Sequence, residues 1–242
     1  MDVQFFLVVF VFLLAGLVKG VTGMGLPTVA MGLLTVFMSP VAAASLMLLP
    51  SLLTNIAQGL RGLGLLDLLG RFSWLLLAIF LFSAAATVIM TNIGADWVET
   101  ALGTMLIGYA GYSLAGRSFQ IARYQENWLS PVVGVITGLI TGATGVFVMP
   151  VVPYLQSLNL DKDQLVQTLG LSFTASTLGL WLGLIAQGAL RLEHALHSSF
   201  ALVPALLGMY LGNLLRARMN TRTFRACFLI SLLALGCYMV VR

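Results

Sequence analysis

Charge is what this chain has least of. Only 8% of its 242 residues are Asp, Glu, Lys or Arg, while 60% are hydrophobic; a soluble domain carries about 25% charged residues. One soluble core cannot hide that much apolar surface, so lipid must solvate much of it. None of the eight acidic residues falls clearly within an expected span, which leaves no visible intramembrane carboxylate for a proton relay. Histidine is nearly absent: His194 and His197 stand beside Glu193 at the edge of a span. Two histidines and one carboxylate make a poor zinc site, and neither a Ser-His-Asp set nor a phosphate-binding glycine loop accompanies them. Neither an enzyme nor a cofactor is expected. The net charge of +4 comes from loop arginines and not from the clustered basic face that nucleic acid requires. Cys227 and Cys237 lie on one expected helix, about 15 Å apart. That is too far to pair, so small buried hydrophobes are expected. Met1-Asp2-Val3-Gln4 lacks the basic region and cleavage site of a signal peptide, so the apolar run that follows is expected to remain as a membrane helix.

What is present is a set of apolar runs, two of them interrupted in the same way. Residues 16–27 read Gly-Leu-Val-Lys-Gly-Val-Thr-Gly-Met-Gly-Leu-Pro. Four glycines, a proline, a threonine and a lysine occupy a place where an unbroken apolar helix would otherwise run. Glycine and proline weaken or break helices and leave backbone groups unpaired. Within a bilayer such backbone survives only against protein or a water-filled cavity. The flanking segments, 3–22 and 26–38, are at or below the roughly 20 residues needed to cross, which suggests a re-entrant hairpin or a pair of discontinuous helices. Residues 40–58, 72–90 and 97–115 read as three spans. A polar linker at 117–127 follows. Residues 128–143 and 146–158 then form a second short pair, before spans at 164–187, 194–215 and 223–241. Trp74, Trp97 and Trp128 fall at span starts, as an interfacial aromatic belt would place them.

The halves align 122 residues apart: Gly16 with Gly138, Gly20 with Gly142, Thr22 with Thr144 and Gly23 with Gly145, with Pro27 and Pro150 within one residue of register. Lys19 aligns with Thr141, so only one copy carries a charge. The expected fold is all-α and polytopic, with two repeats, 1–116 and 128–242. Each repeat has a broken short-helix pair plus three spanning helices. An odd number of crossings per repeat makes the second repeat inverted. Arg61, Arg71, Arg117, Arg123, Lys162, Arg216, Arg218, Arg222 and Arg225 then share one side, against Arg191 and Arg242 on the other. The positive-inside rule makes the first side cytoplasmic and puts both termini outside.

A lysine within a membrane segment either snorkels to the surface or serves a function. Here it is expected to attract an anion, beside backbone N–H groups at Gly20, Gly23 and Gly25 and the Thr22 hydroxyl. Repeat transporters place substrate where broken helices meet, so Thr141, Thr144 and Gly145 are expected to form a neutral opposite wall. Asn55, Gln58 and Arg61, three residues apart, would share one helix face and lead to the cytoplasm. Ser172 and Ser176, with Thr174 and Thr177, occupy the matching region of the second repeat. Trp181 is read as packing.

The run Leu17 to Pro27, its echo from Gly138 to Pro150, and the stripe Asn55, Gln58, Arg61 resemble the TauE/SafE family of sulfite exporters and organosulfur permeases. The resemblance covers nearly the whole chain. It implies export or uptake of sulfite, sulfonates or related small anions across the cytoplasmic membrane; alternating access between the two repeats is expected from the repeat architecture. The second copy departs from the family pattern, because Val146 and Phe147 follow Gly145 where a further glycine is common. Export is the expected direction, since a negative-inside potential favours anion efflux by about 2.3 kcal/mol per charge per 100 mV. The alternatives are an anion channel and a permease for another carboxylate or oxyanion. The expected partners are a small anionic solute and the bilayer, with no nucleic acid, and a homodimer is the candidate assembly.

Overall fold

The computed structural model describes residues 3–62, 64–116, 120–190, 192–216 and 221–241; among these there are eleven helices and no strand. The first half forms α1 (Val3–Thr22), the short α2 (Leu26–Leu34), α3 (Pro40–Gly59), a one-to-two-turn α4 (Leu65–Arg71), α5 (Ser73–Asn92) and α6 (Ala95–Ala115). The second half forms α7 (Arg123–Thr144), the short α8 (Val151–Ser157), α9 (Lys162–Ala186), α10 (Leu192–Arg216) and α11 (Thr221–Val241). Apart from α4, the order of long, short and three long helices occurs twice. Among the described residues six helices are long and apolar enough to cross a membrane: α1, α3, α5, α9, α10 and α11. The expected all-helical membrane architecture is therefore present.

Local chemistry sets several ends. Pro40 opens α3, where its missing N–H costs nothing. Asp161 caps α9 by accepting from the Gln164 N–H at 2.8 Å, and the Gln164 side chain accepts in return from the Asp161 N–H at 3.3 Å. Gly116, at φ 62°, ends α6.

The chain forms two compact units, each drawing on both halves of the sequence. Unit 1 comprises Met1–Pro50, Gly94–Gly116 and Leu190–Arg242; unit 2 comprises Ser51–Ile93 and Arg117–Ala189. The boundary within α3 falls at Pro50, inside the helix.

In unit 1, α1 runs parallel to α10 at backbone contact. Gly16 and Gly20 face Ala205, Met209 and Asn213, and Gly208 and Gly212 face Leu13 and Leu17. A methyl group at any of the four would strike main-chain atoms. Small residues bring membrane helices together in this way, because lipid provides no hydrophobic drive between apolar helices. This differs from the expected interruption across 16–27. Gly16 and Gly20 are helical packing positions, and only residues 23–25 leave the helix.

Unit 2 repeats the device. Gly134, Gly138 and Gly142 of α7 lie against Leu75, Ile79, Ser83 and Ala86 of α5, while Gly179 and Gly183 of α9 meet Phe80, Ser83 and Thr87 on the same helix. These registers make α5, α7 and α9 parallel. The Ile121 N–H, just before α7, donates to the carbonyl of Ser157 at the end of α8 at 3.1 Å. The hydroxyls of Ser130 and Tyr154 pair at 2.7 Å. The chain from α7 through α8 thus returns to the end it started from, as a re-entrant hairpin.

Two expectations change. Cys227 and Cys237 are exposed, not buried, because they lie on the outward face of α11. Helix α7 begins at Arg123 rather than 128, which brings Glu126 into its first turn, where it is buried. Arg117, Arg191, Arg218 and Arg242, and the side chains of Arg222, His194 and His197, lie outside the described residues.

Candidate functional site

Each unit holds one break, and the two are built alike. In unit 1 α1 ends at Thr22. Gly23, at φ 79°, donates its N–H to the carbonyl of Lys19 at 2.7 Å. The Thr22 hydroxyl donates to the Met24 carbonyl at 2.7 Å, lies 2.9 Å from the Val18 carbonyl and accepts from the Met24 N–H at 3.3 Å. In unit 2 α7 ends at Thr144, and Gly145, at φ 72°, donates to the carbonyl of Thr141 at 2.7 Å. The Thr144 hydroxyl donates to Ile140 at 2.7 Å and accepts from the Val146 N–H at 3.2 Å. The residues touched are 122-residue counterparts, but the carbonyl after the break differs: Met24 accepts from Thr22, and Val146 from Thr141. Both glycines occupy the left-handed region, where a side chain costs about 1–2 kcal/mol.

Beyond those residues the breaks diverge. The first is three residues long, 23–25, and closes on Gly25 at φ 100°, the N-cap of α2. Pro27 stands in the first turn of α2. Thr28, one residue on, is fully buried, and its hydroxyl has no partner. The first N–H groups of a helix have no intrahelical acceptor and carry partial positive charge. Lys19 sits in the last turn of α1 and is 3% exposed, so it is enclosed by protein and does not snorkel. Its ammonium also offsets the negative end of α1. Beside Gly23 there is open space, with no atom within 4 Å of where a Cβ would stand. Tyr109 of α6 reaches the break, its hydroxyl 3.5 Å from the sulfur of Met24. Within residues 19–28 unit 1 therefore has a buried lysine, a helix N-terminus, a buried hydroxyl without a partner and open space beside Gly23, each of which suits an anion.

The second break is six residues long, 145–150. Phe147 replaces the second glycine and packs on Phe173 of α9, with ring centroids 6.4 Å apart. The Thr141 hydroxyl donates to the Val146 carbonyl at 3.1 Å. The donors at the end of α7 are thus already committed.

Of the expected site residues, Lys19, Gly20, Thr22, Gly23 and Gly25 belong to unit 1. Asn55, Gln58, Arg61, Thr141, Thr144, Gly145, Ser172 and Ser176 belong to unit 2. Gly20 lies within α1 on its packing face. Asn55 and Gln58 are buried on α3, and the Gln58 amide donates to the Val166 carbonyl at 3.0 Å. Reciprocally, the Gln167 amide donates to the Gly59 carbonyl at 3.0 Å. Arg61 lies past the end of α3 and is exposed, so the three do not share one helix face. Ser172 and Ser176 are fully buried on α9. Thr28 was not singled out, since a threonine inside a short apolar run looks like any other packing residue.

One ion pair holds the hairpin of unit 2. The Arg71 guanidinium donates to both carboxylate oxygens of Glu126, at 2.6 and 2.7 Å. It also lies 5.1 Å from the centre of the Phe72 ring. The hydrogen bond to Glu126 raises the Arg71 pKa above its ordinary value, against the opposing effect of partial burial. Arg71 remains protonated throughout the neutral range.

A family model described as sulfite exporter TauE/SafE matches residues 8–239 of the chain. No curated protein and no solved structure matches it.

Proposed function

Because the chain belongs to the TauE/SafE sulfite exporter family, a transporter family, we propose that it moves sulfite, a sulfonate or a related small organosulfur anion across the cytoplasmic membrane. The observation that carries this reading is Lys19, enclosed in the last turn of α1 and seven residues before α2 begins. A buried cation is costly in lipid and is kept for a counter-charge, and oriented N–H groups add directed hydrogen bonds. Thr22, Gly23, Gly25 and Thr28 complete the anion's surroundings.

The direction we propose is export, which the membrane potential drives without a carboxylate relay. The termini would lie outside, with the arginine-rich loops in the cytoplasm. Access would alternate as one repeat rocks against the other. Support for the inverted relation of the repeats comes from within each unit. The first helix of one half runs parallel to the fourth helix of the other, as α1 with α10 and α5 with α7. A hairpin followed by three crossings, entered from opposite faces, gives that pairing.

The test is counterflow of labelled sulfite in proteoliposomes. Saturable counterflow in the wild type, reduced about 30-fold or more in Lys19→Met, is expected, the size following the 2–5 kcal/mol cost of losing one member of a buried charge pair. Single-channel currents without counterflow would assign the chain to the channel class instead. Counterflow unchanged in Lys19→Met would remove the charge role.

A further inference from the structure

A proline inside a helix lacks the N–H that would bond the carbonyl four residues earlier. In α3 that proline is Pro50, and the carbonyl it leaves bare belongs to Leu46. A serine on α10 covers it. The Ser198 hydroxyl donates to the Leu46 carbonyl at 2.7 Å and accepts from the Leu49 N–H at 3.3 Å. Ser198 is itself buried. Membrane helices tolerate proline where a side chain supplies the lost bond in this way. The hydroxyl of Ser51, just past the proline, is fully buried and has no partner. A buried polar group left unpaired marks a place where strain is held.

The same proline is where the chain changes unit. The chain passes between the units four times, after residues 50, 93, 116 and 189. The last three passages lie between helices, beyond the ends of α5, α6 and α9. Such connections absorb movement readily. The first lies inside α3, and a regular helix bends sharply only where its ladder of backbone bonds is interrupted. The two halves of α3 are also tied separately. Before Pro50, Ser198 holds Leu46 and Leu49 to α10, all within unit 1. Beyond it, the Gln58 amide donates to the Val166 carbonyl and the Gln167 amide to the Gly59 carbonyl, all within unit 2. Gly59 and Gly170 meet there at backbone contact, so close that a Cβ on Gly170 would strike the main chain of Gly59. Each half of α3 is thus fastened to its own unit, and the interruption falls between the two fastenings.

We propose that α3 bends at Pro50 as the units move in the transport cycle, while Ser198 covers the Leu46 carbonyl in the conformation described. The proposal rests on the transport reading and names its joint. Because each unit draws on both repeats, the bodies that rock are the two units. Pro50 is a positioning residue: it sets how fast the units move and leaves the solute's surroundings alone.

The experiment combines binding and counterflow of labelled sulfite with thermal unfolding of the full chain, in the wild type, Pro50→Ala, Ser198→Ala and the double variant. Pro50→Ala returns an N–H to the helix and should fold. Its counterflow should fall about fivefold or more, the rate equivalent of one backbone hydrogen bond that must now break for α3 to bend. Sulfite binding should stay at the wild-type level. Ser198→Ala should lower Tm by about 3 °C or more alone, and by about half as much or less beside Pro50→Ala, where the backbone already covers Leu46. Ser45→Ala removes a hydroxyl that bonds Val41 at 2.8 Å, ahead of the proline on α3, and should lower Tm equally with and without Pro50→Ala. The melts use no solute, so they judge the cover on Leu46 whether or not sulfite is the substrate. Wild-type counterflow in Pro50→Ala, a loss of binding in step with flux, or an equal Ser198→Ala penalty in both backgrounds would overturn the proposal.

Discussion

The two breaks share a frame of glycine and threonine contacts and then part company. Gly23 and Gly145 cap their helices through the same N–H donation, over the same distance, and Thr22 and Thr144 clasp the same two neighbours. The substitutions around that common frame set the chemistry. Lys19 stands against Thr141, Gly25 against Phe147, and Thr28 against Pro150. The first break has a cation and an unpartnered hydroxyl at a helix start; the second has an aromatic plug and its donors already used. The fold-back is therefore common to both units, while the buried lysine belongs to one of them.

The sharpest way to test the common frame is to crowd both helix seams. Gly20→Ala and Gly138→Ala each put a methyl group against backbone, at Met209 and at Ile79. Each should destabilise by about 1–3 kcal/mol, read as a fall in Tm. A tolerated alanine in one unit alone would show that the seams are not equivalent.

Next comes the ion pair of the second hairpin. Glu126→Gln removes a charge from a bidentate pair whose carboxylate is buried, and should cost about 1.5–3 kcal/mol. The sequence counterpart of Glu126 is Gln4, so Gln4→Ala should be nearly silent in the same melting assay.

A smaller effect tests the shared caps. Gly23→Ala and Gly145→Ala should each lose about 1–2 kcal/mol from the left-handed backbone alone. At Gly23 no side chain would be struck, so any larger loss of sulfite transport there would come from filling the open space. The smallest effect on stability separates the hydroxyls. Thr144→Val breaks a hydrogen bond made to Ile140 and should cost about 1 kcal/mol. Thr28→Val removes a hydroxyl that has no partner, so it should leave Tm unchanged or slightly raised while sulfite affinity drops several-fold.

The sequence was most readable where a residue has few uses. Positive φ at Gly23, Gly25 and Gly145 follows from what glycine alone tolerates, and the repeated Gly-Thr-Gly spacing exposed both breaks. Gly16 and Gly20 were harder, because a helix-breaking glycine and a helix-packing glycine look alike until the facing backbone of α10 is known. The interleaved units were not legible, since helices apolar on most faces carry no periodic signal of which neighbour they choose. Glu126 was hidden by a helix start misplaced by five residues, whereas Arg61 was assigned to a helix face although the span was expected to end at 58, as it does within one residue. Thr28 and the serines of α9 are set apart by bonds they do not make, and composition cannot register that.

The most direct measurement is equilibrium binding of labelled sulfite to the purified protein, comparing the wild type with Lys19→Met and Thr144→Val. Binding should be saturable in the wild type, lost in Lys19→Met, and retained in Thr144→Val. Wild-type binding by a folded Lys19→Met protein would contradict an anion site at the first break.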